Sequence, residues 1–156
     1  MDEGGEGSAT RTKRSSCPIN HAVELLGDQW SLLVLRDMAM LEHRTFRSLL
    51  TGSQEGISPS TLSNRLRSLE NLGLIERAPV PIGHQGRYTL TEDGVALVPL
   101  LFELARAGSF LDPSTEATAP GVEDLYGDSE GIAAFTESIR AREEALRNTP
   151  IGPGTD

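Results

Sequence analysis

Apolar residues recur at the spacing of amphipathic helices in three segments near the start of the chain. The first segment ends at Gly27, which can adopt the left-handed conformation that closes many helices. The third follows Thr45, whose side chain is suited to capping a helix N-terminus. The apolar positions are Ile19, Ala22, Val23 and Leu26 in the first segment, Trp30, Leu33, Val34, Met38 and Leu41 in the second, and Phe46, Leu49 and Leu50 in the third. This pattern predicts three short helices.

A fourth helix is predicted from clear signals at both of its ends. Ser58 can cap the free backbone N–H groups, and Pro59 suits the first helical position. Gly73 is a strong stop signal. The apolar stripe between them is formed by Leu62, Leu66 and Leu69. The spacing therefore predicts a helix over 58–72 with a single apolar face.

A β-hairpin is predicted after this helix. Residues 74–77 and 87–90 have the composition of short strands, and the loop between them, 79–86, contains two Pro and two Gly. Thr91 then caps a single long helix. Because that helix is apolar over most of its circumference, it needs partners on more than one side.

The last part of the chain has a different character. Residues 112–128 are rich in Pro, Gly, Thr and acidic residues, which predicts a linker. A last amphipathic helix begins at Ser129, and its apolar side consists of Ile132, Phe135, Ile139 and Leu146. Since this stripe must be covered, we expect the helix at 129–147 to pack in a dimer. The alternative is that it folds back on its own subunit.

This order of elements is typical of a winged helix-turn-helix. The predicted fold is mainly α with a small β-hairpin wing, and the helix at 58–72 is the one that reads DNA. The predicted organisation is a disordered N-terminal arm at 1–16, a winged helix-turn-helix DNA-binding domain at 17–111, the linker at 112–128, the C-terminal helix at 129–147 and a frayed tail at 148–156.

Charge is distributed unevenly along the 156 residues. The chain has 14 Lys and Arg against 23 Asp and Glu, for a formal net charge of −9. Residues 11–90, however, contain ten basic and seven acidic residues, whereas residues 112–156 contain ten acidic and three basic ones. The overall acidity argues against indiscriminate binding of polyanions, but the middle segment has the charge to bind one locally.

Other features narrow the class of protein. No apolar run approaches the roughly 20 residues that span a bilayer, and the acidic, glycine-rich start is unlike a signal peptide. A single cysteine excludes an internal disulfide framework, so we expect a cytoplasmic protein. His21, His43 and His84 lie in different elements without a second metal ligand nearby, and no nucleotide-binding glycine pattern occurs. We therefore expect no enzymatic function, cofactor or metal.

The outward face of the 58–72 helix carries residue types that read DNA. Its side chains are short hydrogen-bonding groups and Arg, and no acid occurs before Glu70. Such groups suit base edges and phosphates, whereas an ordinary solvated face would mix in Glu and Lys. The predicted DNA-reading residues are Ser58, Ser60, Thr61, Asn64, Arg65, Arg67 and Ser68.

The hairpin loop and the third helix supply further candidates. The loop at 79–87 has polar side chains among glycines, as expected of a wing that touches the minor groove or the DNA backbone, although a plain surface hairpin would look similar. Two Arg residues flank the start of the third helix and are candidates for phosphate contacts, or else a surface pair. The residues are His84, Gln85 and Arg87 in the loop, and Arg44 and Arg47 at the third helix.

Seven pieces of the sequence match one known pattern, in order and without large gaps, over about residues 17–110. They are Cys17-Pro18, Leu25–Arg36, Arg44–Leu49, Gly56-Ile57-Ser58, Leu62–Glu70, Gly73–Arg77 and Tyr88–Gly94. Each piece is weak alone, but together they resemble the HxlR family of bacterial transcription regulators. The resemblance implies a MarR-like winged-helix homodimer that binds operator DNA, often as a repressor. It also implies that the N- and C-terminal helices dimerise.

The resemblance adds a candidate for redox sensing. Cys17 lies where several family members carry a cysteine that senses oxidants or electrophiles. The alternative is a small buried residue at the start of the first helix. The chain departs from the family at Gln29, which replaces a basic residue before the tryptophan.

The sequence therefore predicts a sequence-specific DNA-binding transcriptional regulator, a repressor that acts as a homodimer on double-stranded operator DNA. One alternative is a winged-helix module that mediates protein contacts without DNA, which the acidic net charge favours. Another is a regulator controlled by oxidation of Cys17 or by a small ligand. In the ligand case Trp30 and the long apolar helix would line the pocket; otherwise Trp30 belongs to the core.

Overall fold

The computed structural model describes residues 14–151, so the predictions for residues 1–13 and 152–156 lie outside the described part of the chain. The helices are α1 (Pro18–Leu26), α2 (Ser31–Met40), α3 (Phe46–Thr51), α4 (Pro59–Asn71), α5 (Glu92–Ala96), α6 (Val98–Leu111) and α7 (Ser129–Asn148), the strands are β1 (Ile75–Arg77) and β2 (Tyr88–Leu90), and a 3₁₀ helix spans Glu123–Leu125. The predicted mainly α fold with a β-hairpin wing is confirmed.

Local signals explain where α4 begins and ends. The Ser58 hydroxyl accepts a hydrogen bond from the Thr61 amide at 3.3 Å, which caps the first turn. At the other end, Gly73 has a φ of +71°, in the left-handed region that favours glycine. The Leu74 amide then donates to the Leu69 carbonyl at 3.0 Å, as in a Schellman motif. Both ends of α4 therefore follow from residues within the helix or next to it.

The leucine stripe of α4 lies at the centre of the core. Leu62, Leu66 and Leu69 are buried, and α4 packs against α2, α3 and β1. Burial of each such side chain stabilises the fold by about 1.5–3 kcal/mol. The opposite face of α4 consequently points to solvent.

The base of the wing is formed by three segments of the chain. β1 and β2 are antiparallel, with Ile75 opposite Leu90. On the other side of β2, the Tyr88 amide donates to the Arg44 carbonyl at 2.7 Å. β2 therefore lies between β1 and the residues that precede α3.

The prediction of a single long helix after Thr91 is wrong. The structure has two successive helices, α5 and α6, with a turn at Leu97 between them. Pro99 lies in the first turn of α6 and has no N–H group to donate to the carbonyl of Val95, so an unbroken helix would lose a hydrogen bond there.

The helical segment Glu92–Leu111 is long and apolar enough to cross a membrane by length and composition, with a mean hydropathy of 1.5. The expectation that no segment reaches this length is therefore wrong. The core helix of a soluble protein meets the same criterion, and Val98, Leu101 and Phe102 of α6 are buried in this core. We interpret the segment as the successive helices α5 and α6 of the folded domain, which carry additional apolar residues on their surface.

The last helix, α7, packs on its own subunit. Ile132 and Ile139 are buried, and the ring of Phe135 meets that of Phe102 edge to face with 5.3 Å between their centroids. α7 contacts α5, α6 and β2. The apolar stripe that was expected to pack in a dimer is thus covered within one chain, as in the alternative considered above.

Gly94 leaves no room for a side chain. A Cβ at this position would lie 2.1 Å from the Leu74 carbonyl oxygen, whereas a Cβ at Gly108 in α6 would meet nothing within 4 Å. We expect Gly94→Ala to lower the free energy of unfolding by about 1–3 kcal/mol through overpacking. Gly108→Ala should raise it by about 0.5–1 kcal/mol, because alanine is the better helix former. Urea denaturation of both variants tests this, and a Gly94→Ala protein as stable as the parent would contradict the packing described.

Candidate nucleic-acid interface

The polar side of α4 is open to solvent. Most of the predicted reading residues lie there, with Ser58 at the helix start, Ser60, Asn64 and Arg67 exposed, and Thr61, Arg65 and Ser68 half-buried beside the leucine stripe. Ser63 is also exposed on this side. The sequence analysis missed it, although its spacing of four from Arg67 is a signal for a shared face. Together these residues form a surface of hydroxyl, amide and guanidinium groups.

The start of α4 adds a partial positive charge to this surface. The first turn holds no acidic residue, and Ser58, Pro59 and Ser60 are exposed. The free N–H groups and the helix dipole at such an end favour an anion. A phosphate could therefore approach α4 at its N-terminus without meeting a carboxylate.

Arg65 is held beside the loop between α1 and α2. Its guanidinium lies 3.3 Å from the carboxylate of Asp28. Asp28 also accepts hydrogen bonds from the Trp30 and Ser31 amides at 2.8 and 2.9 Å, so it satisfies the first free backbone N–H group of α2. Burial acts to raise the pKa of the Asp28 carboxyl, but the hydrogen bonds from Ser31 and Trp30 and the charge of Arg65 hold it below its usual value. Arg65 is thus oriented at the edge of the α4 surface by an ionised partner.

The wing loop projects away from the core. Ile82 at its tip is fully exposed, and His84 and Gln85 are exposed next to it. The His84 amide donates to the Pro81 carbonyl at 3.1 Å, which closes a tight turn at the tip. The two predicted wing residues are therefore accessible on the same projection.

A groove with a volume of about 170 Å³ separates α4 from the wing. Ser63, Arg67 and Glu70 of α4 line one side of it, and Arg77 of β1 lines the other. The Arg77 guanidinium lies 5.9 Å from the centre of the Tyr88 ring, within the range of a cation–π interaction. Two Arg side chains therefore border the same groove. Arg77 was not predicted as a site residue, because the sequence pattern of a β-strand does not show that the Arg77 side chain lies over the ring of Tyr88.

Arg44 and Arg87 are engaged by the C-terminal helix. The Arg44 side chain is 10% exposed and lies 2.5 Å from the carboxylate of Glu143, which is completely buried. Arg87 donates to the Leu146 carbonyl at 2.5 Å and to the Thr149 carbonyl at 3.0 Å. Within the described residues both side chains are therefore engaged by groups in and after α7, and their contact with DNA stays a prediction.

The structure also locates the predicted sensor and pocket residues. Cys17 is exposed at the start of α1, not buried there. Trp30 is half-buried and packs against the core. A cavity of about 230 Å³ lies between α2 and α6, where Leu33, Leu101 and Tyr126 line it, but Trp30 does not. Trp30 therefore packs with the core, and its role in a ligand pocket stays a prediction.

The histidines remain apart in the fold. His21 on α1 and His84 in the wing are exposed, and His43 is half-buried before α3. Within residues 14–151, no three His, Cys, Asp or Glu side chains are grouped closely enough to hold a metal ion.

A helix with an exposed polar face beside a β-hairpin wing defines a helix-turn-helix protein of the winged-helix class. The chain belongs to the HxlR-like helix-turn-helix family, whose sequence pattern it matches over residues 25–114. The resemblance identified from the sequence is confirmed. Because this is a family of transcriptional regulators, the prediction that the chain is not an enzyme is confirmed as well.

Two curated relatives are described as transcriptional regulators of the helix-turn-helix type. The chain is 40% identical over 94 residues to the uncharacterized HTH-type transcriptional regulator sll1512 of Synechocystis, a match that covers 60% of this chain and 68% of that protein. It is 39% identical over 101 residues to the uncharacterized HTH-type transcriptional regulator MT3179 of Mycobacterium tuberculosis, covering 63% of this chain and 61% of the relative. The chain thus spans less than two thirds of the mycobacterial protein.

A solved structure supports the same fold. The reduced form of the transcriptional regulator YodB from Bacillus subtilis has a TM-score of 0.52 and 31% identity to this chain. The superposition covers 65% of this chain and 100% of YodB. With the family match, it establishes a transcriptional regulator of the helix-turn-helix type with a DNA-binding winged helix.

The two Arg residues that flank Phe46 should respond differently to substitution. Arg44→Ala leaves the carboxylate of Glu143 buried without its main partner, so we expect the free energy of unfolding to fall by about 3–5 kcal/mol. Arg47 is exposed, and Arg47→Ala should change the same quantity by no more than about 0.5 kcal/mol. Thermal or urea unfolding measures both. Equal stability of the two variants would be incompatible with the buried ion pair.

Proposed function

We propose that the chain is a sequence-specific regulator that binds operator DNA as a homodimer, with α4 in the major groove and the wing on the backbone or in the minor groove. The observation that carries this proposal is the exposed face of α4. It presents Ser60, Asn64 and Arg67 to solvent, and its first turn holds no acidic residue. Asn and Arg side chains can each make two hydrogen bonds to one base edge, which is the basis of direct readout.

The surroundings of α4 support a DNA-facing side. Residues 11–90 contain ten basic and seven acidic residues, although the whole chain is acidic. Arg67 and Arg77 border the groove between α4 and the wing, where we place a backbone phosphate. Further contacts are possible from three exposed residues, which are Arg47 on α3 and His84 and Gln85 in the wing.

Substitutions on α4 test this assignment. Asn64→Ala and Arg67→Ala should each weaken operator binding by about 1–3 kcal/mol without lowering the thermal unfolding temperature, because both side chains are exposed. Binding by the parent should also weaken steeply as salt rises, since the Arg contacts displace counterions from DNA. Gel shifts with a duplex selected by the full chain from a random library measure these effects.

The matched control for this experiment is Arg140→Ala. Arg140 lies on α7, away from the apolar residues of α1 and α6, and its described partners are Glu92 and Glu137. The control loses one positive charge away from α4, so its affinity should equal that of the parent. Undiminished binding by both α4 variants would refute the reading face. Binding of no duplex by the parent would favour the module that mediates only protein contacts.

Exposed apolar residues support the homodimer. Large apolar side chains left in solvent commonly mark protein interfaces. Apart from Ile82 at the tip of the wing, those of the described residues lie on two helices, at Ile19 and Val23 of α1 and at Leu100, Leu104, Phe110 and Leu111 of α6. Since α7 is already covered within the subunit, we place the dimer interface on α1 and α6. A two-fold axis through such an interface presents two copies of α4 to successive turns of DNA.

The dimer interface can be tested apart from DNA binding. Leu104→Glu combined with Phe110→Glu should convert the dimer to a folded monomer, because these side chains are 44% and 84% exposed in the subunit and contribute little to its core. Sedimentation velocity measures the change. Ile82→Glu, at the exposed tip of the wing, is the control and should leave the dimer intact. A dimer that survives the double substitution would exclude α6 from the interface.

We further propose that the bound dimer acts in the cytoplasm as a repressor, since it would occupy operator DNA. Control by oxidation of Cys17 stays a prediction, supported by the exposure of its thiol. With one cysteine per chain, the product would be a disulfide between chains or with a small thiol. Control by a small apolar ligand is supported by the cavity of about 230 Å³ between α2 and α6.

A further inference from the structure

One edge of β2 pairs with β1, and the other edge forms hydrogen bonds partly with side chains of α7. At the first residue of the strand, the Tyr88 amide donates to the backbone carbonyl of Arg44 at 2.7 Å. Two residues later, the Leu90 amide donates to the carboxylate of Glu143 at 2.8 Å, and the Leu90 carbonyl accepts from Arg147 at 2.7 Å. Because residues two apart in a strand present their N–H groups to the same edge, α7 takes the place of a neighbouring strand at the base of the wing.

Glu143 joins three parts of the chain at one point. Its side chain is 0% exposed, and its two oxygens lie 2.6 and 2.5 Å from the guanidinium of Arg44. Arg44 immediately precedes Thr45, which caps α3. A carboxylate in such a position is stable only when it is paired and hydrogen-bonded. Glu143 therefore connects α7, the start of α3 and β2.

The end of α7 holds the same strand at a second point. Arg87, where the wing loop returns to the sheet, donates to the Leu146 and Thr149 carbonyls at 2.5 and 3.0 Å. The last carbonyls of a helix attract cations, so this contact is favourable. The strand that leaves the wing is thus anchored at residues 87 and 90 by a helix that lies outside the family match over 25–114.

We propose that Glu143 is a positioning residue for DNA binding. Through its contacts with Arg44 and the Leu90 amide, Glu143 holds the base of the wing at a fixed angle to α4. At that angle, α4 and the wing can both contact one DNA duplex. The inference rests on the proposed DNA-binding function. It gives α7 a role in recognition that does not require contact between α7 and DNA.

A double-mutant cycle with the wing separates positioning from stability. Glu143→Gln removes the charge that pairs with Arg44 while keeping the size of the side chain. It is combined with His84→Ala and Gln85→Ala, which delete the proposed wing contacts. Glu144→Gln, at the exposed neighbouring position, is the matched control. The full chain is used throughout, with a duplex that the parent selects from a random library.

We expect Glu143→Gln to weaken binding about tenfold in the parent and less than about twofold when the wing contacts are already absent. The control should change neither value. An equal loss in both backgrounds would mean that Glu143 acts through general stability, and this would overturn the inference while leaving DNA binding by α4 intact. Failure of the parent to bind any duplex would instead overturn the proposed function.

A second variant covers the case in which Glu143→Gln does not fold. Arg44→Met combined with Glu143→Leu removes both charges, and a buried ion pair can often be replaced in this way without loss of stability. The Leu90 amide still loses its acceptor. We expect the same dependence on the wing contacts, and binding equal to that of the parent would overturn the inference.

Discussion

The burial of the leucine stripe on α4 is the constraint from which the candidate interface follows. Leu62, Leu66 and Leu69 are held in the core by α2, α3 and β1, so the helix has one rotation about its axis that avoids burying polar groups. That rotation turns Asn64 and Arg67 to solvent. The orientation of the surface that we assign to DNA is therefore determined by packing and is present before any DNA is bound.

The arginines of the chain have two different roles. Arg36 illustrates the structural role: its side chain is 13% exposed, and hydrogen bonding to Glu55 and Asp37 raises the pKa of its guanidinium above the usual value. Arg44 and Arg87 are likewise used inside the subunit. Arg47 and Arg67, in contrast, are exposed to solvent. A count of basic residues therefore overstates the charge available to DNA.

The described part of the acidic C-terminal region, residues 112–151, is integrated in the fold. Of its carboxylates, Glu143 is wholly buried and binds Arg44, so part of the negative charge of residues 112–156 is neutralised within the chain. α7 covers β2 and α6 on the inside of the subunit, while α6 keeps Leu104 and Phe110 on the outside. α7 therefore packs against the base of the wing and leaves part of the apolar surface of α6 exposed.

Features encoded by neighbouring residues could be predicted from the sequence, and those that depend on distant ones could not. The bounds of α4 follow from Ser58 and Gly73, and the hairpin follows from its short strands, because caps and turns involve residues close in the chain. The turn at Leu97 was missed although Pro99 is a local signal for it.

The ion pair between Arg44 and Glu143 could not be predicted from the sequence, since these residues are 99 positions apart. A surface arginine and a buried one look alike in a periodic pattern. The amino-acid sequence alone thus determined a winged helix whose α4 has a polar face opposite its leucine stripe. Only tertiary packing decided which arginines stay exposed and how the wing is held, because a buried charge pairs with the group that lies next to it in space.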